Sequence, residues 1–380
     1  MKQSIARMSQ ANTSNTPYFL NFVTITFSAS CRLYLMLMKY SISHTIVILF
    51  LFLSWGNQAQ TFQNPLLDSG ADPFSVYVDG YYYYTHTTGN GVVLWKTKNL
   101  ANLRDAASKT IWTPPANTMY SKDIWAPEIH YIDHKWYVYV AADDGTNENH
   151  RMYVLENTTA DPLNDHWEFK GKLAAPSDKW AIDGNVYTYK GQLYMAWSGW
   201  EGATNGQQDI FIAKMSDPLT ISGKRIKISS PTYPWELNGD LGTAGNPAHV
   251  SVNEGPQFLE HDGNLFIVFS ASGCWTDHYA LGLLSLTGND PMDAAAWSKK
   301  EAPLFKQTPE NSVYAPGHNS FFKSPDGKED WILYHANSNP GEGCGNKRSP
   351  RMQRLYWQED GTPYIGTPFP TSVIQPIPSK

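Results

Sequence analysis

The sequence predicts an all-β fold, a five-bladed β-propeller in a single domain, and three observations carry that expectation. A turn followed by a strand crowded with aromatic and β-branched residues returns five times. The steps between corresponding turn positions, Gly80, His134, Gly191, Gly263 and Gly327, are 54, 57, 72 and 64 residues. A second β-like run follows each copy. One hairpin unit repeated at that period implies radial stacking, because a unit so small cannot bury both faces of its own sheet.

The elements run in this order. The first copy is Val78-Asp79-Gly80-Tyr81-Tyr82-Tyr83-Tyr84, followed by Val92-Val93-Leu94-Trp95-Lys96. The second turns at Asp133-His134 into Lys135-Trp136-Tyr137-Val138-Tyr139 and continues with Arg151-Met152-Tyr153-Val154-Leu155. The third turns at Lys190-Gly191 before Gln192-Leu193-Tyr194-Met195-Ala196-Trp197 and continues with Asp209-Ile210-Phe211-Ile212-Ala213. The fourth turns at Asp262-Gly263 and the fifth at Asp326-Gly327; their second runs are Leu281-Gly282-Leu283-Leu284-Ser285 and Arg354-Leu355-Tyr356-Trp357. Asp-Gly or Lys-Gly between apolar runs is a strong hairpin signal, since glycine accepts the positive φ of a tight turn.

Composition agrees: 28 Gly, 25 Pro, 14 Trp, 22 Tyr and 16 Phe suit a β chain rich in turns. The formal charge of −6 argues against nucleic acid or an anionic membrane as partner. Residues 38–59 read as a signal peptide, with Met38-Lys39-Tyr40 as a basic start and Ile46 to Leu53 as an apolar stretch too short to span a bilayer. Residues 1–37 then read as an over-extended start, and 60–380 as the mature propeller, secreted or periplasmic, monomeric and free of the membrane after processing. An oxidising compartment allows Cys274 and Cys344 to pair; two free buried thiols fit the sequence equally well.

In a propeller the first strand of each blade lines the axis. Counting back eight residues from the five turn positions gives Asp72, Ala126, Asp183, Gly255 and Asn319, with Glu254 and His318 one residue earlier in the last two. An Asp beside Pro or Gly is ordinarily a turn residue. A structural role repeated by symmetry would use one residue type throughout, whereas here each copy supplies a different one, as a single asymmetric site requires. Several carboxylates in one cavity suit glycosidic bond cleavage, where one protonates the leaving oxygen and another activates water or attacks carbon. Trp125, Trp197, Trp200 and Trp275 offer faces for sugar C–H surfaces, although Trp197 serves a blade core equally well. No Gly-x-Ser-x-Gly elbow, His-Glu-x-x-His or phosphate loop competes, and Asp143-Asp144-Gly145-Thr146-Asn147 lacks calcium-loop spacing.

These motifs, Ala71-Asp72-Pro73, Trp125-Ala126-Pro127-Glu128, Ile182-Asp183-Gly184, Glu254-Gly255-Pro256 and Pro316-Gly317-His318-Asn319-Ser320, resemble glycoside hydrolase family 43 over essentially the whole of 60–380. The resemblance implies an inverting hydrolase with Asp72 as general base, Glu254 as general acid and Asp183 orienting the acid and raising its pKa. It also implies substrate contacts at Trp125, Glu128, Trp197, Trp275 and an arginine, for which Arg351 fits best and Arg348 and Arg354 remain open. No cofactor is needed for the chemistry, and a structural calcium is implied near His318. The phrases Ser272-Gly273-Cys274-Trp275-Thr276 and Arg354-Leu355-Tyr356-Trp357 look most like the exo-acting α-L-arabinofuranosidase branch, with an oligosaccharide or polysaccharide as substrate. β-Xylosidases, galactofuranosidases and endo-arabinanases share the framework, and a non-catalytic sugar-binding propeller is the rival of another class.

Overall fold

The computed structural model describes residues 60–239 and 250–380; the expected leader and over-extended start lie outside them. The described residues are almost entirely strands and turns, with only short 3-10 segments, as the sequence predicts. Among them no helix is long and apolar enough to cross a membrane.

Three sheets are four-stranded antiparallel meanders, and a nine-stranded sheet consists of two more meanders joined by a short parallel pairing of Gln207–Asp217 with Ser251–His261. The first strands of the five meanders are Ala71–Val78, Lys122–Ile132, Ala181–Tyr189, Ser251–His261 and Tyr314–Lys323. Each touches the first strand of the next meander, and the last touches Ala71–Val78. Thr61–Phe62 pairs with Gln375–Pro376, so the two ends of the described chain lie in one small sheet.

The aromatic strands are rich on both faces because both faces are buried. In Tyr81–Thr87, Tyr83 packs with Trp136 and Val138 of the second meander, while Tyr82 and Tyr84 pack with Phe322, Trp331 and Leu333 of the fifth. In Lys135–Asp143, Trp136, Val138, Val140 and Ala142 face the first meander, and Tyr137, Tyr139 and Ala141 face the third. This period-2 division of side chains is what a strand buried on both sides requires. Every hydrophobic cluster is shared between two successive meanders, and one of them is shared between the last and the first.

Four of the five hairpins turn through two residues that both have positive φ: Asp79 (49°) and Gly80 (82°), Asp133 (49°) and His134 (62°), Lys190 (47°) and Gly191 (78°), Asp262 (48°) and Gly263 (79°). That is the type I′ turn, whose twist matches that of the flanking strands. The fifth differs. Ser324 N donates to Glu329 O at 2.9 Å, so four residues, Pro325 to Lys328, form the turn and glycine stands third.

Each first strand carries a β-bulge near its start. The register breaks between Ala71 and Phe74, Trp125 and Glu128, Ile182 and Asn185, Glu254 and Gln257, and Gly317 and Ser320. Each break holds one residue at positive φ: Asp72 (57°), Ala126 (43°), Asp183 (59°), Gly255 (54°) and His318 (44°). A left-handed conformation costs a non-glycine residue about 1–3 kcal/mol. Four such residues at one repeat position therefore mark a place where aiming side chains outweighs local stability. The fifth counterpart is His318, not the Asn319 given by counting back from Gly327.

Candidate active site

The bulges gather side chains into a cavity of about 510 Å³ whose lining includes Asp72, Asp183, Glu254 and His318. Asp72 and Asp183 are buried, and Glu254 is partly open. Trp125, Trp180, Trp275, Thr87 and Arg348 also line it.

Asp72 is held as an anion. Its Oδ2 accepts the Thr87 hydroxyl at 2.6 Å, and its Oδ1 lies 3.2 Å from an Arg348 guanidinium nitrogen and 3.3 Å from His318 Nδ1. Burial alone would raise its pKa, but these partners outweigh it and hold the carboxyl well below the usual range. His335 Nδ1 lies 3.4 Å from the same oxygen but is no ion-pair partner, because it accepts the Asp72 backbone N–H at 3.0 Å. Burial, with Arg348 beside it, drives His335 well below its ordinary pKa, so the ring is neutral.

Asp183 and Glu254 are pushed the other way. Asp183 rises to about 7, first through burial and then through the charges of Glu254 and Asp72. Its Oδ2 accepts Gly255 N–H at 3.0 Å, which ties it to the residue next to Glu254. Glu254 also rises, with burial again the largest cause and Asp72 adding to it. The sequence reading attributed the Glu254 shift to the Asp183 charge; desolvation is the larger cause. The two carboxyls share protons as a pair. Tyr279 Oη donates to Glu254 Oε1 at 2.7 Å.

His318 sits among all three. Burial disfavours its cation, yet Asp72, Asp183 and Glu254 raise its pKa on balance. Its ring lies against Gly255, where a Cβ would meet it at 3.3 Å, so the bulge glycine leaves room for the imidazole. His318 Nδ1 faces Asp72 Oδ1 at 3.3 Å, and among the described residues no three His, Cys, Asp or Glu side chains are placed to hold an ion by direct bonds. The raised pKa makes His318 a counter-cation to these carboxyls.

Three expected substrate contacts lie elsewhere. Glu128 is buried beneath the cavity, where it accepts from Asn185 Nδ2 at 2.7 Å, is hydrogen-bonded by Gln257 Nε2, and lies 3.0 Å from His130 Nε2. Two residues past the bulge, it hydrogen-bonds to the first strands of the third and fourth meanders and is not part of the cavity lining. Trp197 packs in the core between the second and third meanders, its ring 6.1 Å from Phe211. Arg351 is fully buried and donates to Ser338 Oγ at 2.9 Å, leaving Arg348 as the arginine that reaches the carboxylates.

Trp125 and Trp275 do line the cavity. Trp125 stacks on His150, with ring centroids 4.1 Å apart. Trp275 follows Cys274, which is disulfide-bonded to Cys344 at a Cα–Cα distance of 5.3 Å. The bridge joins the Trp275 loop to the loop that carries Arg348, across a sequence separation of 70. Closing a loop of that length stabilises the fold by about 4 kcal/mol in the chain-entropy model. The double variant Cys274→Ser, Cys344→Ser is expected to melt earlier and to raise KM more than it lowers kcat, because it frees two cavity walls but no carboxylate. Calorimetry and steady-state kinetics check this; a larger loss in kcat than in KM would show that the bridge holds the reacting groups themselves.

Thr87, Trp180, Tyr279 and His335 were missed in the sequence. Thr87 was within reach, since the Asp79-Gly80 turn makes it the partner of Ala71. Tyr279 stands one residue before the strand Ala280–Leu286 and carries no comparable signal.

The sequence signature of Glycosyl hydrolases family 43 matches residues 62–363. A protein named extracellular exo-alpha-(1->5)-L-arabinofuranosidase, from Streptomyces avermitilis, is 40% identical over 82% of this chain and 65% of its own. Alpha-L-arabinofuranosidase 43 from Humicola insolens is 35% identical over 82% of this chain and 64% of its own. The chain thus spans slightly less than two thirds of each. A crystal structure of an alpha-L-arabinofuranosidase from Lactobacillus brevis superposes with a TM-score of 0.75 at 35% identity, covering 82% of this chain and 98% of that one.

Proposed function

The chain belongs to glycosyl hydrolase family 43, and from that premise we propose that it is an exported, inverting, exo-acting α-L-arabinofuranosidase of arabinan or arabinose-decorated plant polysaccharides. The observation that carries the chemistry is the opposed charge state of its carboxyls. Asp72 is forced to stay ionised by Arg348, His318 and Thr87, while burial pushes Glu254 and Asp183 towards the protonated form. Environments that separate the pKa values of neighbouring acids assign the base and the acid. Asp72 accepts a proton from water as it attacks the anomeric carbon, and Glu254 gives its proton to the departing oxygen. Asp183 holds the Gly255 amide beside the acid and shares protons with it as a pair. The names of the relatives support the choice of sugar and the export.

The framework supporting this is a five-bladed propeller in which each meander is a blade. The first strands touch in sequence and back to the start, and each hydrophobic cluster lies between adjacent meanders.

Two measurements test the reading. Release of aglycone should be fastest from an aryl α-L-arabinofuranoside when compared with the β-D-xyloside and β-D-galactofuranoside. Proton NMR of the first turnovers should show the inverted anomer. Faster release from the xyloside would reassign the sugar; first appearance of the retained anomer would make Asp72 a nucleophile and remove the base role.

A further inference from the structure

At the back of the site Ser270 and Tyr279 stand between the His318 amide and the Glu254 carboxyl. The His318 backbone N–H lies 2.7 Å from Ser270 Oγ. A backbone amide only donates, so the serine oxygen accepts there and its own hydrogen points elsewhere. The Tyr279 phenol lies beside that hydroxyl. Tyr279 in turn donates to Glu254 Oε1 at 2.7 Å. The order in space is therefore amide, serine, tyrosine, carboxyl, with Tyr279 as the donor to Glu254.

The tyrosine is also held in a slot. It is fully buried. Its ring is parallel to that of His335, with centroids 5.8 Å apart. It passes so close to Gly317 that a Cβ there would stand 2.3 Å from it. His335 is fixed on its other side by the Asp72 backbone amide.

We infer that Tyr279 is a positioning residue for the acid, which keeps the transferable proton on Glu254 Oε2 and then stabilises the carboxylate that forms when that proton leaves. The inference rests on the assignment of Glu254 as acid. Oε1 receives a hydrogen bond, so in the neutral carboxyl it is the carbonyl-type oxygen. Oε2, which no described residue hydrogen-bonds, is left to carry the proton. As Glu254 becomes an anion, the Tyr279 bond turns charge-assisted and strengthens. An interaction that grows in the transition state accelerates the step instead of merely tightening binding.

Tyr279→Phe keeps the ring in its slot and removes only the hydroxyl. On arabino-oligosaccharides it is expected to lower kcat by roughly tenfold or more, the scale separating a neutral from a charge-assisted hydrogen bond. On a nitrophenyl arabinofuranoside, whose leaving group needs little protonation, the loss should stay within about threefold. The alkaline limb of the pH profile should move upward, because a donor to the charged carboxylate is gone. Ser270→Ala, one link back, should give the same pattern more weakly. If Tyr279→Phe does not fold, as thermal unfolding would reveal, the substrate ratio of Ser270→Ala decides alone. Equal losses on both substrates with an unmoved alkaline limb would overturn the inference and leave Tyr279 a packing residue; unchanged rates would overturn it too. A wild-type chain that hydrolyses no glycoside would sink the assigned activity instead, which keeps the two failures apart.

Discussion

Asp72→Asn should be nearly inactive on every substrate, with kcat reduced roughly 10³–10⁴-fold, near the upper end of what a positioned general base contributes. Water must be activated whatever the leaving group, so arabino-oligosaccharides and aryl arabinofuranosides should suffer alike. The variant should still fold, since asparagine keeps the shape and can still accept from Thr87. It does leave Arg348 and His318 facing a neutral amide, so His318 loses its nearest counter-ion and should release its proton at lower pH than before. Steady-state kinetics on both substrate types, with chemistry shown to be rate-limiting, provide the check. Near-normal turnover of the aryl substrate would remove Asp72 from the base role.

Glu254→Gln should divide the same two substrates sharply. A sugar leaving group has a high pKa and requires the proton, so loss on an oligosaccharide should approach 10²–10⁴-fold. A nitrophenolate departs with little help, and kcat there should fall far less. The alkaline limb of the wild-type profile, set by proton loss from the Asp183–Glu254 pair, whose pKa values are both raised, should disappear on the aryl substrate. The sign follows from the shifts: raised pKa values keep the acid protonated further up the pH scale, and activity fails once the pair gives up its proton. Identical losses for Glu254→Gln and Asp72→Asn on both substrates would leave the acid and base labels without support.

How much of this could be read from the chain depended on the turns. A two-residue type I′ turn fixes the register, so counting back from Gly80, His134, Gly191 and Gly263 reached the bulged positions at Asp72, Ala126, Asp183 and Gly255. The fifth turn has four residues, and the same count stopped one residue short of His318. Motif position therefore located the carboxylates, but it could not say where a side chain points after a bulge. Glu128 lies two residues beyond one and joins Asn185 and Gln257 of the neighbouring first strands rather than the cavity. Trp197 and Arg351 show the same limit on second and third strands, where either face of a strand is buried and aromatic content no longer separates core from site. The hydrogen bonds of Tyr279 and His335 join residues distant in sequence, and no local pattern announces them. The disulfide, left open by the sequence, required the loops to be placed.

The shared clusters also bear on how the chain acquires its structure. In a linear stack of repeats a missing unit exposes one interface, and the remainder stands on its nearest-neighbour contacts. Here every meander owns only half of each cluster it touches, and Tyr82 and Tyr84 of the first meander are covered by Phe322 and Trp331 of the fifth. A nascent chain that has made four meanders thus carries two uncovered apolar faces, one at each side of the gap. Neither can be covered until the fifth meander arrives with Phe322, Trp331, Ile332 and Tyr334. Folding is then a collective event completed only once the fifth meander is in place, and a chain lacking it is a sticky species open to aggregation and proteolysis rather than a smaller working enzyme.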